Sequence, residues 1–145
     1  MIVPDVNVLM YAHVDGFAQH DVARNWWQGL LSSTETVGLA PVVVAGFVRL
    51  ATSARVLEVP MTTEAVTRVV SGWWDRPGVD VLRSDQRHLA EAMALVDAAG
   101  SAGNLVTDAL IAAHALLHDA TVATNDADFA RFPGVRTVNP VAPGR

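Results

Sequence analysis

The chain has 145 residues, 51 % of them hydrophobic, which suits one domain with a core of its own. It has no cysteine, and all 10 basic residues are arginine; this excludes disulfides, thiolate nucleophiles, Cys-ligated metals, Schiff-base lysines and the lysine of a phosphate-cradling P-loop. With 15 acids and a net charge of −5 it is not a globally basic, sequence-blind nucleic-acid binder.

In chain order, Met1 to Pro4 reads as a short apolar strand ending at Asp5. Phe17 to Leu31 places Val22, Ala23, Trp26, Trp27, Leu30 and Leu31 at helical spacing. Thr36 to Ala40 is a candidate strand. Pro41 then suits the first position of a helix to about Ser53, because its missing N–H would be unpaired there anyway. Thr62 or Thr63 can cap the next helix, with Glu64 in its first turn and Val66, Val69, Val70, Trp73 and Trp74 as its apolar face. Pro77-Gly78 is a turn and Val79 to Leu82 a strand. Ser84 can cap a helix carrying Leu89, Ala92, Met93 and Val96, with Gly100 just past its end. Asn104 to Leu117 reads as a helix, and Thr121 to Thr124 and Val135 to Val138 as strands. Strands alternating with helices predict an α/β fold, a mostly parallel sheet covered by helices. One domain is expected over residues 1–140, followed by a loose tail, 141–145.

The longest apolar run, Val37 to Val48, falls short of the roughly 18 residues a membrane span needs. No basic n-region or cleavage site marks a signal peptide. A soluble, cytoplasmic protein is expected.

In open α/β sheets ligands gather at the carboxyl ends of the strands. Asp5 and Asn7 follow the first strand, Asn125, Asp126 and Asp128 follow the Thr121–Thr124 strand, and Asp108 lies in the first turn or so of the Asn104 helix. Taken singly, each aspartate is more readily a turn former or a cap, except Asp108, which sits amid Leu105, Val106, Leu110 and Ile111 with no obvious ion-pair partner. Together at one edge they would repel, and a divalent cation resolves that repulsion. Oxygen ligands without a His/Cys set favour Mg²⁺ or Mn²⁺ over zinc. A site of that kind suits phosphodiester hydrolysis.

At these residues the chain resembles a known family. Ile2-Val3-Pro4-Asp5-Val6-Asn7-Val8-Leu9-Met10-Tyr11-Ala12 is similar to the first acidic motif of the PIN-domain ribonucleases, in particular VapC toxins of toxin–antitoxin pairs. Gly103 to Ala113, around Asp108, resembles their central acidic helix, and Ala123 to Phe132 their closing acidic motif. Gly46-Phe47-Val48-Arg49-Leu50-Ala51-Thr52 resembles the mycobacterial and actinobacterial branch. The resemblance implies a three-layer PIN-like fold and a Mg²⁺- or Mn²⁺-dependent endoribonuclease that leaves a 5′-phosphate and a 3′-hydroxyl and arrests translation. It implies Asp5, Asp108 and Asp126 as metal-binding carboxylates, Asp128 as a further ligand or support, and Asn7, Thr124 and Asn125 as supporting groups. It also implies a VapB-type antitoxin that blocks the cleft, and a homodimer. One departure stands out: Gly46 occupies the place of a glutamate that many members carry, and no acid lies between Glu35 and Glu58. This motivates one rival reading, a catalytically impaired PIN-fold interaction protein; a separate rival is a metal-dependent phosphoesterase with a non-RNA substrate.

An acidic cleft needs basic groups to hold RNA, and Arg49, Arg83, Arg87 and Arg131 are the candidates. His114 and His118 lack the Glu of a zinc-protease motif and are expected on a helix surface or interface. His13 is a candidate to face the cleft, and His20 and His88 read as surface residues. The tryptophan pairs 26/27 and 73/74 are expected in the core or an interface rather than stacked on bases.

Overall fold

The computed structural model describes residues 1–143. Its elements are β1 (Ile2–Pro4), α1 (Val6–His13), α2 (His20–Leu31), β2 (Val37–Leu39), α3 (Pro41–Ala51), α4 (Thr63–Trp74), β3 (Val79–Val81), α5 (Gln86–Ala99), α6 (Leu105–Leu117), β4 (Thr121–Ala123), a 3₁₀ helix (Ala127–Arg131) and β5 (Arg136–Val138). The five strands form one parallel sheet in the order β3-β2-β1-β4-β5. The order reverses between β3 and β4. Right-handed crossovers then set α1–α4 on one face of the sheet and α5–α6 on the other.

Local chemistry sets most boundaries. Pro41 opens α3. The Thr62 hydroxyl oxygen accepts the Ala65 N–H at 3.1 Å and starts α4. Gly100, at φ 69, ends α5 in a left-handed conformation that other residues adopt at a cost. The cap of α5 is Asp85, not Ser84: its Oδ1 accepts the His88 N–H at 3.0 Å. The second helix begins at His20 rather than Phe17. Phe17 instead packs edge-on against Tyr11, centroids 5.2 Å apart, and His20 Nδ1 donates to the Tyr11 carbonyl at 2.8 Å.

Helices α1 and α5 also depart from the sequence expectation. Helix α1 was not foreseen, because Val8, Leu9, Met10 and Ala12 are all buried and leave no amphipathic stripe to read. Helix α5 buries His88, Ala92 and Leu95, whereas Leu89 and Met93 are each 50 % exposed. The small Ala92 and the flat ring of His88 let α5 lie close against α6.

His88 and His114 are therefore not surface groups. Both are buried and their rings stack at 3.6 Å. His88 Nε2 donates to the Leu110 carbonyl at 2.7 Å. His13 sits at the end of α1 away from Asp5, among Trp27, Phe47 and Trp73, and its Nε2 accepts the Trp73 indole N–H at 3.3 Å. Trp27 and Trp73 are core residues; Trp26 is half-buried and Trp74 exposed. Pro140 and Val141 are half-buried, and Val141 packs against the core, so the packed chain runs past the boundary at 140. Gly144 and Arg145 lie outside the described residues. Among the described residues no helix is long and apolar enough to cross a membrane.

Candidate metal centre

Strands β1 and β4 lie side by side, with Ile2 opposite Thr121 and Pro4 opposite Ala123. From this pair the chain turns toward β2 on one side and β5 on the other, the switch point at which open parallel sheets bind ligands. The Asp5 N–H donates to the Ala123 carbonyl at 2.9 Å and carries the ladder one residue further. That contact sets Asp5 against Thr124.

Asp5 caps α1: its Oδ1 accepts the Val6 N–H at 2.6 Å. Its Oδ2 accepts the Thr124 hydroxyl at 2.7 Å. The Thr124 oxygen in turn accepts the Asp126 N–H at 2.9 Å. Asp126 caps the 3₁₀ helix, with Oδ1 accepting the Asp128 N–H at 2.8 Å. Asp108 enters from the first turn of α6, where the helix dipole favours an anion. Asp5 and Asp126 thus have capping roles, Asp108 and Asp128 accept no such bond among the described residues, and the charges of all four act on one another.

The electrostatics show how crowded they are. Burial pushes the Asp5 carboxyl above its usual range; the hydrogen bonds from Thr124 and Val6 oppose that, and the charge of Asp126 adds to it. Asp108 is pushed up to about 7, first by burial and then by Asp5, Asp126 and Asp128. Among the described residues no arginine pairs with any of the four. One oxygen each from Asp108, Asp126 and Asp128 lies within 4.8 Å of the others. Asp5 stands behind that triple. Three hard oxygens at this spacing, without His or Cys among them, fit a divalent cation that keeps some of its water. The crowding that lifts Asp108 is the repulsion such a cation would relieve.

The supporting residues form a chain of amides. The Asn125 N–H donates to Asn7 Oδ1 at 3.4 Å, and Asn125 Oδ1 accepts from Asn139 Nδ2 at 2.8 Å. Sequence reading missed Asn139, since nothing near it in the chain signals a partner in the Asn125 loop.

The arginines divide. Arg131 closes the 3₁₀ helix that carries Asp128. Arg83 and Arg87 line a separate cavity of about 340 Å³ with Met1, Leu117 and His118, at the end of α6 away from Asp108. Arg49 lies in the last turn of α3, away from the strand ends. Gly46 faces Val6, and a Cβ there would stand 2.9 Å from Val6 Cγ2. A side chain at this position would displace the first residue of α1, next to Asp5.

A family model described as PIN domain matches residues 2–135. The chain is 41 % identical over 141 residues to Ribonuclease VapC33 of Mycobacterium tuberculosis, covering 97 % of this chain and 99 % of that one. Among solved structures, Mycobacterium tuberculosis VapC20, a "Sarcin-Ricin loop cleaving toxin", aligns with a TM-score of 0.71 at 18 % identity, over 94 % of this chain and 99 % of its own. VapBC2 from Rickettsia felis, bound to a DNA fragment from their promoter, aligns with a TM-score of 0.67 at 22 % identity, over 96 % and 98 %. These two likenesses establish the shared fold.

Proposed function

The chain belongs to the PIN-domain family, and on that premise we propose that it is the toxin of a VapBC-type pair, a divalent-metal-dependent endoribonuclease acting in the cytoplasm. The observation that carries this reading is the convergence of Asp108, Asp126 and Asp128 oxygens within 4.8 Å at the switch point of the sheet. These three would hold Mg²⁺ or Mn²⁺, with Asp5 as the fourth carboxylate behind them. A cation held there would supply acidity to water and charge stabilisation to phosphoryl oxygens.

The chain's own residues do the remaining work. Thr124 holds Asp5 and the Asp126 backbone in one arrangement. The Asp128 N–H fixes one oxygen of Asp126, which leaves the other free to ligate. Arg131, whose guanidinium donates to the Ala99 carbonyl at 3.4 Å, is the candidate to meet an RNA phosphate. Hydrolysis adds water across the phosphodiester, leaving a 5′-phosphate and a 3′-hydroxyl, and cleavage of RNA arrests translation. The partners are a VapB-type antitoxin that blocks the cleft and a second copy of the chain. Similarity to a VapC ribonuclease and to the fold of a VapBC toxin supports the antitoxin partner.

The test is cleavage of total RNA by the purified protein with Mg²⁺, with Mn²⁺ and with EDTA, beside Asp5→Asn and Asp108→Asn. Discrete fragments only with metal and only from wild type support the reading. Full activity of folded Asp108→Asn overturns it. The tightly packed Gly46 favours the rival of a PIN-fold protein without competent metal binding, which requires no metal-dependent cleavage and an effect that survives Asp126→Asn. Cleavage of DNA in preference to RNA under the same metal condition would point to a different phosphoesterase.

A further inference from the structure

We propose that Asn139 is a positioning residue: it locks the carboxamide of Asn125 so that its NH₂ group is presented to a phosphate of the RNA backbone beside the carboxylates. The inference rests on the ribonuclease reading above.

The oxygen and nitrogen of a carboxamide are alike in shape, and only their partners tell them apart. Here two backbone N–H groups decide the amides of Asn7, Asn125 and Asn139. The Val141 N–H can only donate, and it meets Asn139 at 3.0 Å, so that atom is Oδ1. The other arm of Asn139 is then Nδ2, and it reaches Asn125 at 2.8 Å, so Asn125 presents Oδ1. The Asn125 N–H can only donate, and it meets Asn7 at 3.4 Å, so Asn7 also presents Oδ1. Both Asn7 and Asn125 thereby have their acceptor oxygens engaged within the protein. Their NH₂ groups have no protein partner among the described residues.

The position gives those donors a use. Asn125 is exposed and lies between Thr124, which binds Asp5, and Asp126. A phosphodiester approaching four carboxylates meets repulsion. An arginine placed there would pair with the carboxylates and compete with the cation. A carboxamide donates to a phosphate oxygen without adding charge, as Asn side chains do on nucleic-acid backbones. An Asn125 free to flip would present its oxygen half the time and repel the same phosphate. Asn139, itself held by Val141, removes that freedom.

Two readouts on the full chain test this. The first is Mn²⁺ binding by calorimetry. The second is fluorescence anisotropy of a labelled, randomised single-stranded RNA 20-mer with Ca²⁺ in place of Mn²⁺. Asn139→Asp keeps the size and the Val141 bond but can only accept, so it turns the Asn125 amide round. It is expected to weaken RNA binding roughly tenfold, the loss of a hydrogen bond to a charged group. Asn139→Ala, which only frees the amide, is expected to weaken it less. Mn²⁺ affinity stays within about twofold in both, because neither touches a carboxylate. In an Asn125→Ala background Asn139→Asp has no further effect. RNA binding by Asn139→Asp equal to wild type overturns the inference. So does a loss that persists undiminished in the Asn125→Ala background, which is the mark of the added charge alone. A parallel loss of Mn²⁺ affinity overturns it in favour of a structural role. A wild type that binds neither Mn²⁺ nor RNA overturns the ribonuclease reading itself, and this inference with it.

Discussion

The Thr124 hydroxyl donates to the buried carboxylate of Asp5 at 2.7 Å, and the same oxygen accepts the Asp126 N–H at 2.9 Å. One side chain therefore couples the first acidic residue to the third across the β1–β4 junction. Thr124→Val keeps the shape and removes both bonds. Asp5 is then left with the Val6 N–H alone, and its carboxyl rises further. The expected result is a loss of about 1–3 kcal/mol in stability, the range for unpairing a buried polar group. Weaker Mn²⁺ binding should accompany it. Denaturant unfolding and calorimetry on the same protein check both; unchanged Mn²⁺ affinity would show that Thr124 only fills space.

Asp108 gives the metal-free protein an unusual pH dependence. Its folded-state carboxyl titrates at about 7, well above the unfolded chain. Between the usual carboxylate range and pH 7 the folded state keeps a proton that the unfolded state has lost. This contribution is full at low pH and is lost as pH rises through 7. In EDTA the melting temperature is therefore expected to fall from pH 6.5 to 8. Asp108→Asn, which mimics the protonated form, should melt higher than wild type at pH 8 in EDTA and gain less from added Mn²⁺. Equal stabilisation of both proteins by Mn²⁺ would remove Asp108 from the ligand set.

The carboxylates were legible in the sequence because each ends a strand or begins a helix, positions that hydrophobic patterning marks. Pro41, Thr62 and Gly100 likewise announced their boundaries through their own chemistry. Helix α1 was not legible, because it is buried nearly all round and its sequence looks like an extended apolar run. The inward face of α5 was misread for a related reason: Leu89 and Met93 are more apolar than His88 and Ala92, yet close packing on α6 selects the latter pair. Asn139 and the His88–His114 stack are long-range pairings that no local pattern encodes.

That stack makes the fold sensitive to acid. His114 is fully buried, and its imidazole titrates at about 4, lowered first by burial and then by His88 and His118. Ser84 lies 3.4 Å from its Nε2, and Nδ1 of each stacked ring has no partner. The folded state keeps His114 neutral where the unfolded chain would protonate it. Its contribution is full above the ordinary histidine range and is lost as pH falls from about 6.5 toward 4. Asp108 acts with opposite sign over the same window, so the urea midpoint is expected to drop there in an Asp108→Asn background, where that effect is absent. His114→Phe keeps a stacking ring without a titratable nitrogen, and it should flatten the slope. A slope unchanged in that variant would assign the acid sensitivity to other groups.

Gly46 is the residue on which the departure from the family's glutamate turns. On an exposed helix Gly→Ala adds about 1 kcal/mol of stability. Here the new Cβ would stand 2.9 Å from Val6 Cγ2, and Val6 is β-branched, so its methyl cannot swing clear. Overpacking of this kind costs about 1–3 kcal/mol and outweighs the propensity gain. Val6 also supplies the N–H that Asp5 Oδ1 accepts, so the displacement reaches the metal centre. Gly46→Ala is therefore expected to lower both the melting temperature and RNA cleavage. Val6→Ala opens the space, and the Gly46→Ala/Val6→Ala pair should recover stability relative to Gly46→Ala alone, a coupling that a double-mutant cycle measures directly. Gly46→Glu, which restores the family's acid, should fail to raise Mn²⁺ affinity unless Val6 is also trimmed. A single Gly46→Glu variant that binds Mn²⁺ more tightly than wild type, with unchanged stability, would show that the α1–α3 contact yields more readily than its geometry indicates.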